Sequence, residues 1–253
     1  MRLKNRIRKQ HIPSIFTLVN LFLGFLAAIS VVEGHYLRAA HLIIAAGVFD
    51  VLDGKLARRM HSPSPFGREL DSLADVVSFC LAPALLVWAL YAQNLHPVMG
   101  ALIAGAPLYF GVLRLARYNV GATTNVGATT TQRVAYFEGL PSPMSALAVV
   151  ALVIYYTDAS RRGAAGVVLP AVMATSFLMI SQIRFPKFPQ LTFRAGRGNT
   201  LFILAIFSLI LAGLAWGTWV LLPGVVLYIS AALVRWVTRS DGALHIQSAE
   251  KQA

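Results

Sequence analysis

The sequence predicts an all-α, polytopic membrane helical bundle of about eight transmembrane helices, a six-helix core followed by two C-terminal helices. Three observations predict it. Hydrophobic residues make up 57% and charged residues 13% of 253 positions, with a mean hydropathy of +0.66, where soluble domains carry about 25% charged residues. Apolar runs of about 20 residues, the length that crosses a ~30 Å hydrocarbon layer, recur along the chain. The 22 Lys and Arg residues also segregate: with a cytosolic N-terminus, 19 fall on the cytosolic side and only Arg38, Arg161 and Arg162 on the other. That asymmetry is the positive-inside pattern, and it calls for an even number of spans with both termini cytosolic. The net charge of +12 is then a topology signal, and nucleic acid is not an expected partner.

The first span, 13–32, follows the basic stretch MRLKNRIRKQ. Residues 1–12 either lie on anionic membrane lipid, at about 1 kcal/mol per cation, or act only as a topology signal. The span is too long for the apolar region of a signal peptide, and no small-residue cleavage site follows. Five further spans are read at 37–58, 71–93, 98–117, 140–157 and 163–182, giving a core domain over 13–198. The seventh and eighth, 199–215 and 217–237, are separated by a glycine-containing turn near Trp216–Trp219 and form a C-terminal hairpin over 199–238, with a cytosolic tail over 239–253. No polar constellation follows residue 198, so the hairpin serves packing or homodimer formation. The single cysteine, Cys80, lies in an apolar run, excludes an intramolecular disulfide, and is read as a packing residue. His35, His41, His61 and His96 show no ligand spacing.

Chemistry concentrates in FDVLDGKLARRMHSPSPFGRELDSLADVV, residues 49–77, which holds Asp50, Asp53, Glu69, Asp71 and Asp75, five of the ten acidic residues. Carboxylates near membrane depth are expensive and tend to be functional. Asp50, Asp53, Gly54 and Ala57 share one helical face at the cytosolic end of span two, and Asp71 and Asp75 share another at the start of span three. A short antiparallel connection, with Pro63, Pro65 and Gly67, brings the faces together at the membrane boundary. Carboxylates converging there repel one another unless cations lie between them. An oxygen-only set without Cys or His suits Mg²⁺, Mn²⁺ or Ca²⁺, and paired metals on carboxylates are a recurring device for displacement at phosphorus. Gly54 and Ala57 leave room on that face, and Arg58 and Arg59 supply cations for a diphosphate. Salt bridges between the acids and neighbouring arginines are the competing account. Glu69 is set apart as exposed or arginine-paired, and Lys55 as a topology determinant.

The pattern Asp50-x2-Asp53-Gly54-x2-Ala57-Arg58-x8-Gly67-x3-Asp71-x3-Asp75 resembles, without departure, the signature of the CDP-alcohol phosphotransferase family. The resemblance implies that Asp50, Asp53, Asp71 and Asp75 hold two divalent ions, Mg²⁺ or Mn²⁺, and that Asp75 is also the general base on the incoming alcohol. It further implies that Gly54, Ala57 and Arg58, with Gly67 of the same signature, belong to the site for the cytidine part of the donor.

Thr17, Asn20 and Gly24 form one stripe on span one, which in similar sequences lies beside the nucleotide; helix–helix hydrogen bonding is the competing reading. RLARYN (114–119), YFEGLPSP (136–143) and IRFPKF (183–188) resemble the corresponding segments of the integral-membrane phosphatidylserine synthases within that family. This implies CDP-diacylglycerol as donor and L-serine as acceptor, in an inner or cytoplasmic membrane with the site facing the cytosol. Arg114 and Arg117, spaced i, i+3, suit a carboxylate, or else snorkel at a helix end. Asn119 adds an amide, and Glu138 faces an ammonium. Arg184 and Lys187 hold a lipid phosphate or are ordinary inside positives. Gly139, Pro141 and Pro143 shape the start of span five. Two rivals stand beside this reading. One is a sister transferase with glycerol phosphate, inositol phosphate or choline as acceptor; the other is a cation transporter, which would place its acids near the midplane of broken helices.

Overall fold

The computed structural model describes residues 2–59, 65–124, 136–157, 164–186 and 221–250. Nearly all of them are helical. The elements in chain order are α1 (Arg2–Val32), α2 (Tyr36–Arg59), α3 (Pro65–Asp75), a π-helical turn π1 (Val76–Leu81), α4 (Ala82–Val87), a second π-helical turn π2 (Trp88–Ala92), α5 (Pro97–Ala104), α6 (Ala106–Thr124), α7 (Ser142–Thr157), α8 (Ala165–Ile180) and α9 (Leu221–Glu250). One departure from an all-α fold is a short antiparallel ladder of β1 (Tyr136–Glu138) and β2 (Arg184–Pro186), with Phe137 opposite Phe185 and Glu138 opposite Arg184. Two strands 46 or more residues apart leave no periodic signature in three residues each, so the sequence shows only irregular segments there.

The chain divides into two compact units, Met1–Thr130 with Pro141–Ile180, and Thr131–Leu140 with Ser181–Ala253. In the first unit, α1 ends in a Schellman motif. Gly34 takes a φ of 80°, which costs a glycine nothing, and the amides of Gly34 and His35 return to the carbonyls of Val31 and Ser30 at 3.0 and 2.8 Å. Such a stop closes the helix and reverses the chain within a few residues, so α2 runs back along α1.

α1 packs against α2, α3 and π1. The buried residues at these contacts are mostly small, Ala27, Ala39, Ala40 and Ala46 with Ile43, Phe79 and Ala82. Between lipid-embedded helices small residues let backbones approach and so supply the van der Waals contact that hydrophobicity cannot. α7 is buried on nearly every side, Val149, Val150, Ala151 and Val153 each being at 0% exposure, and a helix apolar all round belongs inside a bundle.

Among the described residues two helices are long and apolar enough to cross a membrane, Ile15–Val32 and Phe66–Ala92, and Pro97–Ala104 with Ala106–Gly121 makes a third if the pair, bent by 43°, is one span. Ser142–Tyr156, Ala165–Ile180 and Leu221–Val234 are shorter apolar helices. The fourth predicted span, 98–117, is therefore broken rather than continuous. Gly105 sits at the break, where a Cβ would come within 2.6 Å of both the Ala101 carbonyl and the Tyr109 hydroxyl. The third span begins earlier than the predicted residue 71, because α3 starts at Pro65 and carries Asp71 and Asp75 inside a continuous helical run. The seventh span, 199–215, lies outside the described residues. The eighth corresponds to α9, which continues to Glu250, well into the segment read as a tail.

In the second unit the ladder is closed by the Gly139 amide donating to Ile183 O at 2.9 Å, with Gly139 at φ 77°. Phe185 is fully buried and stacks on Tyr228 of α9 at 6.1 Å between centroids.

A candidate metal and substrate site

α2 and α3 each deliver one end of the acidic stretch to the same place. Asp50, Asp71 and Asp75 can each offer a carboxylate oxygen such that all three lie within 4.8 Å of one another. Among the described residues this is the one group of three or more His, Cys, Asp or Glu side chains so arranged. The helical periodicity explains it: Asp71 and Asp75 are one turn apart on α3, and α1 holds α3 and α2 against a common face.

Asp53 stands beside this group rather than in it. It is 5% exposed, and its Oδ2 accepts a hydrogen bond from Thr17 Oγ1 of α1. Thr17 and Asn20, at 3% and 0% exposure, form a buried stripe on α1 facing the acids. The Asn20 amide stands beside the Asp75 carboxylate, yet neither Asn20 Nδ2 nor Oδ1 nor Asp75 Oδ1 has a hydrogen bond of ordinary geometry.

Gly24, the next residue of that stripe, is the closest crossing. A Cβ there would lie 2.2 Å from Ser78 Oγ and 2.7 Å from Ser78 Cα, and the Ser78 hydroxyl donates to the Asn20 carbonyl at 2.9 Å. On the other flank a Cβ at Gly111 of α6 would lie 2.4 Å from Cys80 Sγ. π1 is thus clasped between two glycines immediately after Asp75. A π-turn widens the helix by one residue and re-aims what precedes and follows it, which is why such turns gather at functional sites.

Arg114 of α6 approaches from the far side. It is 9% exposed, within electrostatic reach of Asp75, and its Nη1 donates to Ser142 Oγ at the start of α7 at 2.9 Å, while its Nε has no partner. Arg117 and Asn119 of the same helix make other contacts. Arg117 is exposed and its Nη1 reaches Ile180 O at 3.4 Å. Asn119 ties α6 to α3, its Nδ2 donating to Glu69 Oε2 at 3.1 Å and to Ser72 Oγ at 3.0 Å. Glu69 is therefore exposed and amide-paired. Glu138 is exposed in the second unit, at the ladder position opposite Arg184. Gly54 and Gly67 are half-buried in α2 and α3; the side chains of Ala57, Arg58 and Arg184, and Lys187 entirely, lie outside the described residues. His35, His41 and His96 are exposed.

Sequence reasoning missed Ser78, Gly111, Ser142 and Ser145. Their signal is weak, since a serine or glycine in an apolar run is common in membrane helices; only the three-dimensional crossing distinguishes them.

The donor set fits a divalent hard cation. Every group is a carboxylate or amide oxygen, and buried oxygens that lack a protein partner are what a bound ion or polar ligand would satisfy.

The family model for CDP-alcohol phosphatidyltransferase matches residues 10–181, the span that carries Thr17, Asn20, the four aspartates and Arg114. The chain belongs to that family. The family's members transfer through a divalent metal, and the three-aspartate group offers a place for one.

Among curated proteins, this family member is 30% identical over 202 residues to a CDP-diacylglycerol–serine O-phosphatidyltransferase of Helicobacter pylori, covering 78% of this chain and 79% of the relative. It is 33% identical over 183 residues to the protein of that name from Bacillus subtilis, covering 71% of this chain and 92% of the relative. It is 31% identical over 185 residues, 70% of each chain, to an archaetidylserine synthase of Methanothermobacter thermautotrophicus. With its apolar helices, this member of the family is a membrane protein.

Proposed function

We propose that the protein is a CDP-diacylglycerol–serine O-phosphatidyltransferase, forming phosphatidylserine and CMP. The observation that carries the reading is the meeting of Asp50, Asp71 and Asp75 within 4.8 Å, in a family member whose relatives bear that name across most of their length.

Asp50, Asp53, Asp71 and Asp75 hold Mg²⁺ or Mn²⁺, two ions in all, with Asp53 aimed by Thr17. Bound there, a metal would supply positive charge against the diphosphate oxygens and the departing CMP. Gly54, Ala57, Arg58 and Gly67, with Thr17 and Asn20 of α1, take the cytidine side of the donor; Gly54 and Gly67 keep side-chain bulk away from it. Asp75 accepts the proton of the serine hydroxyl. The hydroxyl oxygen then forms a bond to the phosphorus bearing diacylglycerol, and the bond from that phosphorus to the CMP oxygen breaks.

Attack is direct. Among the described residues no Ser, Cys or His is paired with a base beside Asp75: the Ser78 hydroxyl is committed to a backbone carbonyl, and Cys80 is buried. Arg114 holds the acceptor near Asp75. Arg117 and Asn119 bear on the acceptor only indirectly, by holding α6 to α8 and α3. The site faces the cytosol of an inner or cytoplasmic membrane with both termini on that side, as the Lys and Arg distribution supports. The basic N-terminus rests on anionic lipid, and the C-terminal helices serve homodimer packing.

The test is acceptor choice. Purified protein in mixed micelles with CDP-diacylglycerol and Mn²⁺ should transfer label from serine into lipid. Glycerol phosphate, inositol phosphate and choline should leave the lipid unlabelled; preferential use of any of these would replace serine in the assignment.

A further inference from the structure

Buried polar atoms without partners are rare in folded proteins and call for an explanation each. Among the described residues the buried side-chain atoms of this kind are Asn20 Nδ2 and Oδ1, Asp75 Oδ1, Arg114 Nε and Ser145 Oγ. They belong to four helices; Asn20, Asp75 and Arg114 neighbour one another in turn, and Ser145 follows Arg114's partner Ser142 by one helical turn. Asn20 stands beside Asp75, and Asp75 is within electrostatic reach of Arg114. Arg114 donates to Ser142 at 2.9 Å. Ser145 lies one turn further along α7 on the same face as Ser142.

At the near end, Asp75 also belongs to the carboxylate group of Asp50 and Asp71, so the donor side is accounted for. The far end is not. Arg114 is 9% exposed, Ser142 0% and Ser145 1%, and they surround the first turn of α7. The amides of Met144 and Ser145 there already return to Pro141 O at 3.0 Å each. A guanidinium with a spare N–H, a spare hydroxyl and the positive end of a sixteen-residue helix make an environment for an anion.

We infer that Ser145, with Arg114 and the start of α7, forms the subsite for the carboxylate of the amino-acid acceptor. Resting on the transferase reading, this makes Ser145 a specificity-determining residue. Asp75 is grouped with Asp50 and Asp71 on one side and lies within electrostatic reach of Arg114 on the other. A serine whose carboxylate is held at Arg114 and Ser145 presents its hydroxyl back toward Asp75, while the diphosphate occupies the aspartate side. The same anion-binding chemistry suits a phosphate of the donor, and the kinetic arms of the test separate the two.

The experiment uses the full-length protein in mixed micelles with Mn²⁺, comparing wild type with Ser145→Ala and Ser145→Thr, and L-serine with L-serinamide, which lacks the carboxylate. Losing a hydrogen bond to a charged group should raise KM for serine roughly 10- to 100-fold in Ser145→Ala, with KM for CDP-diacylglycerol unchanged. Turnover with serinamide should be alike in the two proteins, and Ser145→Thr, which keeps the hydroxyl, should recover most of the serine affinity. Ser145→Cys, near in size and only a weak donor, carries the same expectation should the alanine protein not fold. An unchanged KM for serine overturns the inference. So does an equal loss with serinamide, or a rise in KM for CDP-diacylglycerol instead, which would give the subsite to the donor phosphate. Absence of any serine product from wild type would overturn the transferase reading itself, a result distinct from all of these.

Discussion

Thr17 of α1 donates its hydroxyl hydrogen bond to Oδ2 of Asp53 in α2, 36 residues away. The contact ties the first helix to the acidic stretch, and it sets the direction of a carboxylate that would otherwise rotate. Groups that orient metal-binding side chains are typically worth 10- to 100-fold in metal affinity.

Thr17→Val, which keeps the shape and removes the donor, should therefore raise the Mn²⁺ concentration for half-maximal activity by roughly 10- to 100-fold. Activity at saturating metal should largely return. A metal titration of both proteins checks this, and superimposable curves would remove Thr17 from the site.

Gly24→Ala should damage the fold rather than the chemistry. The added carbon would lie 2.7 Å from Ser78 Cα, a backbone atom that cannot swing aside, and overpacking of this kind costs about 1–3 kcal/mol. Thermal unfolding in detergent should show a clear loss of stability. Ser78→Gly, which removes the hydroxyl and its carbon but not Cα, should rescue Gly24→Ala only in part.

Chelation should silence the enzyme reversibly. Mg²⁺ or Mn²⁺ should restore it and Zn²⁺ should not, since the site offers oxygen ligands and no thiolate or imidazole. Full activity after extended dialysis against chelator would contradict the metal assignment.

Much of this is legible in the sequence alone. The runs at 37–58, 140–157 and 163–182 correspond closely to α2, α7 and α8, because a lipid-embedded helix must satisfy its own backbone and so announces itself as one long apolar run. The i, i+4 spacing of Asp71 and Asp75 also carried through, since such residues share a face wherever the helix goes, and Asp50 of α2 meets them there. What failed to show were features without a local pattern. The break at Gly105 looks like any glycine in a membrane helix. The π-turn after Asp75 depends on Gly24 and Gly111, residues far away in the chain. Arg117 has the helical spacing of a binding pair with Arg114, but only the packing of α6 decides that Arg114 is buried while Asn119 clamps Glu69 and Ser72.

Asp75→Asn should retain CDP-diacylglycerol binding and lose turnover by roughly 10²- to 10⁴-fold, the range for removal of a general base. Added metal should fail to restore the rate, unlike the Thr17→Val protein, which separates the base from the ligand role. Recovery at high Mn²⁺ would leave Asp75 as a ligand alone.

The central claim is direct transfer from CDP-diacylglycerol to serine at the three-aspartate group, and release of labelled CMP from CDP-diacylglycerol by the purified protein tests it most directly. The account predicts rapid CMP release that requires both serine and divalent metal, equal in amount to the phosphatidylserine formed, and lost in Asp50→Asn and Asp71→Asn proteins that still insert and fold. CMP release or CMP exchange at the full rate without serine would contradict it, as would full activity in either aspartate variant.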